Sequence, residues 1–318
     1  MNKFTFFTFA ISVMLISTQF SYSQGCSDAG LCSIDGGHSD MDNTTEQSNI
    51  NLSLSNSIGI GDNSVLINST GINVAYSADD FTLSAGVPFV ITSGDLGSTS
   101  GLGDLLLTLG TNLYSDEEIS WNATFGGKIA TNNADLKNSD GLPMPMVNQT
   151  SQGTNDMIFL TSLRSGSWQF TTGVQTPLNR NENSFTNEIV FEEFSPETED
   201  YFSNRGIYES SRKFKRGSDV MFKIEKFFDL NEDLKLMGGV LPVYRLSNSI
   251  YEERSTGNDI EISDSDGLTV NIIGSMDYRV SKVSSFKLNF GFPVLTRTVR
   301  ADGLTRALVA TVSYSVAI

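Results

Sequence analysis

The stretch "INVAYSADDFTLSAGVPFV", residues 72–90, holds two alternating runs on either side of Ala78-Asp79-Asp80. Ile72, Val74 and Tyr76 take every second place before that connection. Phe81, Leu83, Ala85, Val87 and Phe89 do so after it, with Thr82, Ser84 and Gly86 between them. A side-chain period of two belongs to a strand with one apolar and one polar face, because successive Cβ atoms point to opposite sides. A connection this short joins antiparallel neighbours as a hairpin.

The same period returns along the chain. Ile119, Trp121, Ala123, Phe125 and Ile129 alternate with polar or small residues, as do Val270, Ile272, Met276 and Tyr278, and then Phe286, Leu288, Phe290, Phe292 and Val294. These runs reach about 10 to 13 residues, longer than the usual soluble strand. Strands are predicted near 50–58, 66–77, 81–91, 103–114, 118–130, 154–164, 167–178, 218–228, 233–245, 268–279 and 284–296, with a last one ending at Ile318. Short links at "ADD", "SDE", Ser165-Gly166, "DLNE" and "VSKV" alternate with longer polar ones at 92–102, 131–153, 179–217, 246–267 and 297–303.

Long loops on one rim and short turns on the other predict an all-β transmembrane up-and-down antiparallel β-barrel of about 12 strands, with short periplasmic turns and long outer loops. The ending "LVATVSYSVAI" (308–318) agrees: Val312, Tyr314, Val316 and Ile318 take the lipid phase, and Thr311, Ser313 and Ser315 the lumen phase. A last strand that must pair with the first to close the ring has no use for a tail. Outer-membrane barrels resemble one another in ending on an aromatic residue, and Ile318 departs from that. The soluble alternative is a secreted β-sandwich, whose strands are shorter and whose loops do not sort by rim.

"MNKFTFFTFAISVMLISTQFSYS" has a charged start, an apolar run and small residues at Ser21 and Ser23, the layout of a signal peptide over residues 1–23. An uncleaved anchor is the alternative. Residues 24–49 read as a periplasmic tail, with a plug in the lumen as one place for it, and residues 50–318 as the barrel. In an oxidising compartment Cys26 and Cys32 most simply close one disulfide loop. Lipidation of Cys26 stays open, although Ser23 stands where a lipobox normally has Leu. Asp40, Asp42 and Asn43 lack the Gly and Glu of a calcium loop, so no metal site is assigned.

A net charge of −16 excludes nucleic acid as a partner. Beyond the signal segment no run of about 18 apolar residues occurs, which excludes a helical span. No catalytic residues are assigned: His38 is the one histidine and lies off the strands, and no phosphate loop is present. No cofactor is expected.

"FTLSAGVPFV" followed by "GSTSGLGDLLLTLGTNLY", within residues 81–114, resembles the outer-membrane transporter family associated with the meta-pathway of phenol degradation. The resemblance rests on Val87-Pro88 and on Gly101-Leu102-Gly103-Asp104. It extends over about residues 70 to 180 and keeps Thr131, while lacking the family's neighbouring Pro and Gly. It implies a barrel that passes small solutes, often aromatic or apolar. Pro88, Pro177, Pro242 and Pro293 each follow a Gly near the end of a strand, where a lost ladder donor does least harm.

The polar phase supplies candidate lumen-lining residues: Asn122, Lys128, Gln169, Gln175, Lys223, Glu225, Lys235, Asn271, Asp277, Arg279, Lys287 and Asn289. The bilayer by itself drives such charges inward. The functional reading is a path lined by Lys128, Lys223, Lys235 and Lys287, with Glu225 and Asp277 as partners. A salt-bridge plug is the competing reading. The acidic runs at 191–202 and 251–267 read as solvated loops. The expected function is an outer-membrane channel or passive transporter, with a structural or adhesive barrel acting through its loops as the alternative. Expected partners are outer-membrane lipid and lipopolysaccharide, the barrel assembly machinery and a small-molecule solute.

Overall fold

A computed structural model describes residues 49–78, 80–188, 199–304 and 306–318. The expected signal peptide, the tail with Cys26, Cys32, His38, Asp40, Asp42 and Asn43, and most of the acidic run at 191–202 lie outside those residues. The strands in chain order are β1 (Ile50–Gly61), β2 (Leu66–Ala78), β3 (Phe81–Gly94), β4 (Gly97–Leu102), β5 (Leu105–Ser115), β6 (Ile119–Ile129), β7 (Asp156–Ser165) and β8 (Trp168–Pro177). After a helical turn, α1 (Glu199–Asn204), come β9 (Asp219–Asn231), β10 (Leu234–Arg245), β11 (Ser249–Glu252), β12 (Asp259–Ile262), β13 (Gly267–Ser281), β14 (Ser284–Leu295) and β15 (Arg306–Ala317).

Thirteen of these strands form one sheet, and all of them but β4 make a closed antiparallel ring of twelve. The ring shuts where β15 pairs with β1, from Asn51↔Ala317 up to Gly61↔Arg306. Hydrocarbon offers the backbone no hydrogen bonds, so only a sheet without edges satisfies every N–H and C=O there. Both ends of the ring's chain lie on the short-turn rim. Its turns are built locally: at 116–118 the Asp116 carboxylate accepts the N–H groups of Glu118 and Ile119.

The period of two sorts the side chains. Outward positions carry Leu, Ile, Val and Phe in the middle band, including Leu54, Ile72, Leu83, Leu109, Phe125 and Phe222, all exposed. Tyr76, Phe81, Tyr114, Trp121, Trp168, Phe228, Tyr278 and Tyr314 form an outward girdle towards the short-turn rim. Lys226 reaches that girdle, its ammonium 4.8 Å from the Trp168 ring centre.

Three expectations are corrected. The 92–102 segment is no loop: β3 runs on to Gly94 and folds back as β4, with Thr92↔Thr99 and Gly94↔Gly97 in register. Its Gly and Ser content reads as a turn, yet cross-strand pairing holds it. A helix is present where none was expected. Third, the long connections are not simply solvated. Tyr201, Phe202 and Tyr208 pack with Val65, Ile67, Val90, Leu96, Met144, Val147 and Phe185 in an apolar core over the long-loop rim. Tyr251 and Ile262, from the second acidic stretch, pack with Ala134, Met146, Phe214 and Ala301. Charges on the solvent side of these loops mask the apolar residues beneath them.

The prolines stand where a ladder lapses. On β3, pairing with β5 ends at Gly86↔Leu106 and pairing with β4 begins at Phe89↔Leu102, leaving Pro88 in the gap. Pro242 faces a break between Val240↔Ile224 and Val243↔Met221. Pro293 lies beyond the last pair of β14 with β15, and Pro177 ends β8.

Candidate functional site

The lumen has three levels, set by how far each inward residue lies from the long-loop rim. At that rim runs a chain of buried charges. Asp104, just before β5, meets Lys128 on β6 at 3.0 Å, and Lys128 meets Asp156 on β7 at 3.3 Å. Asp156 meets Arg216 at 2.6 Å, which also reaches Asp219 on β9 at 3.1 Å. Asp219 meets Arg245 on β10 at 2.8 Å; Arg245 meets Asp302 at 2.5 Å, and Asp302 meets Arg297 at 3.1 Å. Acid and base alternate throughout, and each of these side chains is at most 8% exposed.

Register makes part of this belt: Lys128↔Asp156 and Asp219↔Arg245 are facing pairs on adjacent strands. Gln175 adds a hydrogen bond to Asp156 at 2.5 Å. Burying one ion costs several kcal/mol, so a charge survives here only with partners on both sides. Burial would push the Asp302 carboxyl up, but Arg245, Arg297 and Arg216 outweigh it and hold it well below the usual carboxylate range. Beside the belt, Arg300 meets Asp62 of the β1–β2 turn at 2.8 Å. There burial wins over Arg300, and the Asp62 carboxyl is pushed up to about 6.

The resemblance residues latch a roof onto this belt. The Asp104 carboxylate accepts the Ser151 hydroxyl and, at 3.2 Å, the Gln152 N–H. The Leu102 carbonyl accepts the hydroxyls of Thr131 at 2.9 Å and Thr150 at 3.1 Å. Thr92 and Thr99 both donate to the Asn148 carbonyl. Gly103 donates to the Pro88 carbonyl at 2.8 Å. Residues 146–152 are thereby held across the lumen, and Met146, Val147, Gln149, Thr150 and Gln152 line the top of the cavity below together with Gly303 and Leu304.

Under the belt lies an inward apolar layer of Ile158, Leu160, Met221 and Leu241, flanked by Leu106, Val243 and Ile273. Beneath and beside it a vestibule of about 850 Å³ extends to the short-turn rim, lined there by Asn51, Ser281 and Ala317. Its two walls differ. β1, β2, β3 and β5 carry no Asp, Glu, Lys, Arg or His, and present Ser53, Ser55, Ser57, Asn73, Ser84 and Thr108. The facing wall, β7 to β14, presents Arg164, Gln169, Lys223, Glu225, Lys235, Asp277, Arg279 and Lys287. Lys223 meets Glu225 at 3.1 Å and Lys287 meets Asp277 at 3.9 Å, whereas Lys235 meets Asp229 at 3.8 Å.

Of the sequence candidates, Asn122, Gln169, Lys223, Glu225, Lys235, Asp277, Arg279, Lys287 and Asn289 border the vestibule. Lys128 and Gln175 face inward but do not: they are locked in the belt, 2% and 0% exposed. Asn271 is buried, donating to the Leu241 carbonyl. Val87 pairs with Ile72, and Gly101 packs on the Thr150 side chain. Sequence reasoning missed Asp156, Arg216, Asp219, Arg245, Arg297 and Asp302. A usable signal existed for three of them: Asp156 and Asp219 open strands and Arg245 closes one, all at the long-loop rim.

No family model and no curated protein matches the chain. Among solved structures it is similar to the NanC porin, with 8% identity, a TM-score of 0.48, and 84% of this chain and 100% of that one covered. It is also similar to the translocator domain of the autotransporter NalP from Neisseria meningitidis, with 7% identity, a TM-score of 0.45 and coverage of 86% and 90%. The Ralstonia pickettii toluene transporter TbuX gives 8%, 0.41, and 86% and 91%.

Proposed function

We propose that this chain is a passive channel for small solutes in the outer membrane of a Gram-negative cell, with its outer end roofed. The carrying observation is the vestibule of about 850 Å³, lined by charged, hydroxyl and apolar side chains, which runs from the short-turn rim into a ring whose outside is apolar. A barrel kept only as a membrane scaffold has no need of a wide interior facing one compartment. The long-loop rim is then the outer face, the short turns are periplasmic, lipid and lipopolysaccharide surround the wall, and the assembly machinery reads the last strand. The resemblance implies aromatic or apolar solutes; the hydroxyl and amide lining favours polar ones. The packed cap favours a second reading, a structural or adhesive barrel working through its loops.

Planar-bilayer conductance separates the two. Discrete steps from the refolded barrel, enlarged by deletion of 185–210 or by Asp104→Asn, fit the channel. Silence from all three proteins, each with heat-modified gel mobility, would leave the structural reading.

A further inference from the structure

Resting on that channel reading, the geometry points to small organic anions that also bear hydroxyl groups as the solutes the vestibule takes. The whole chain carries −16, yet its vestibule is inverted in sign. Among the described lining residues six are basic (Arg164, Lys223, Lys235, Arg279, Lys282 and Lys287) and three acidic (Asp104, Glu225 and Asp277). Asp104 is already held by Lys128 at the belt. A cavity with a net charge between low-dielectric walls concentrates its counter-ion, and here, with six bases to three acids, that is an anion.

The charge is also one-sided. The bases stand on β7, β9, β10, β13, β14 and the β13–β14 turn, while β1, β2, β3 and β5 offer none. That second wall offers hydroxyls in cross-strand pairs, Ser84 with Thr108 at 2.6 Å and, at its edge, Ser53 with Ser315 of the neighbouring β15 at 3.1 Å. A hydroxyl both donates and accepts and turns to suit its partner. A carboxylate lying on the basic wall would thus have its own hydroxyl groups met across the lumen. An apolar solute would find contact with Leu106, Leu241 and Ile273 but would strip water from the charges and hydroxyls of the two walls without replacing those hydrogen bonds. Lys235 and Lys287 keep 20% and 25% of their side chains exposed on the vestibule wall, so a solute carboxylate can reach their ammonium groups.

The test is calorimetric titration of the mature protein in detergent with gluconate and with sorbitol, which keeps the hydroxyl chain and replaces the carboxylate by an alcohol. Gluconate is expected to bind about tenfold or more tightly than sorbitol, and to weaken in about 0.5 M NaCl through screening. The double variant Lys235→Gln/Lys287→Gln, its barrel verified by heat-modified mobility, is expected to lose that preference. Equal binding of the two probes, or none by gluconate, overturns the proposal. So does a preference untouched by both salt and the variant.

Ahead of β1 the sequence also carries Asp28, Asp35, Asp40, Asp42 and Glu46, a second chemical source of carboxylates. Changing these to Asn and Gln tightens gluconate if the segment competes for the same bases. It leaves gluconate unchanged if the free anion is the sole claimant. Conductance keeps the two readings apart. Gluconate binding by a barrel that never conducts overturns the channel and leaves the anion site. A conducting barrel whose reversal potential favours potassium over chloride overturns the anion reading alone.

Discussion

Gly103 shows what a single residue does for the roof. A β-carbon there would lie 2.6 Å from Pro88 Cγ and 3.2 Å from the Thr150 carbonyl oxygen, neither of which yields easily. Gly103→Ala is expected to cost about 1–3 kcal/mol, read as a lower urea midpoint for the heat-modifiable form. Asp62 makes a prediction about pH. Its folded carboxyl titrates near 6, above the ordinary 3.8, so the folded state binds the extra proton and stability falls as pH rises through that window. The wild type is therefore expected to lose ground to Asp62→Asn between pH 5 and pH 8, measured by thermal melting of the two side by side. Of these two residues, the sequence motif drew attention to Gly103 and its neighbour Asp104. Nothing local marked Asp62, whose shift comes from burial under a distant loop.

At the scale of elements, the belt ties β5, β6, β7, β9 and β10 to the roof. Arg245→Gln would leave Asp219 and Asp302 buried beside too little positive charge. The expected loss is about 3–5 kcal/mol, seen as protease cleavage of the 246–266 connection that the wild type resists. Pro242→Ala is expected to change stability by less than about 0.5 kcal/mol, since the ladder beside it is already open. Asp302 carries the opposite pH sign to Asp62. Its depressed carboxyl adds stability above the ordinary carboxylate pKa, lost only as pH falls through a still lower folded value. Acid down to pH 5 is thus expected to leave the belt closed, and protection of the loops should not fall. Strands were legible from Phe286–Val294 and its like because lipid and lumen impose the period of two. β4 was not, because Gly and Ser mark turns and short rim strands alike.

At the scale of the whole molecule, closure is a contact between the two ends of the barrel. Removing 316–318 deletes Leu52↔Val316 and Asn51↔Ala317 and exposes an edge at the short-turn rim. The expected outcome is loss of the heat-modifiable form on gels, with little folded protein recovered from lipid. Deletion of 185–210 should leave that form intact, because its described residues, 185–188 and 199–210, lie outside the ring strands and include cap residues Phe185, Tyr201, Phe202 and Tyr208.

The ring is written into the order of residues: strand number, turn sorting, the lipid face from Val312 to Ile318 and the lumen face from Thr311 to Ser315. Each of those follows from neighbours one or two places apart, facing either hydrocarbon or water. What fills the ring depends on contacts made in the folded molecule. Lys128 became a latch beside Asp104 and Asp156, whereas Lys235 and Lys287 came to border the vestibule, although all three read alike along the chain. Their fates differ because a buried charge settles by the partners it meets, and those partners come from strands and loops far away in sequence.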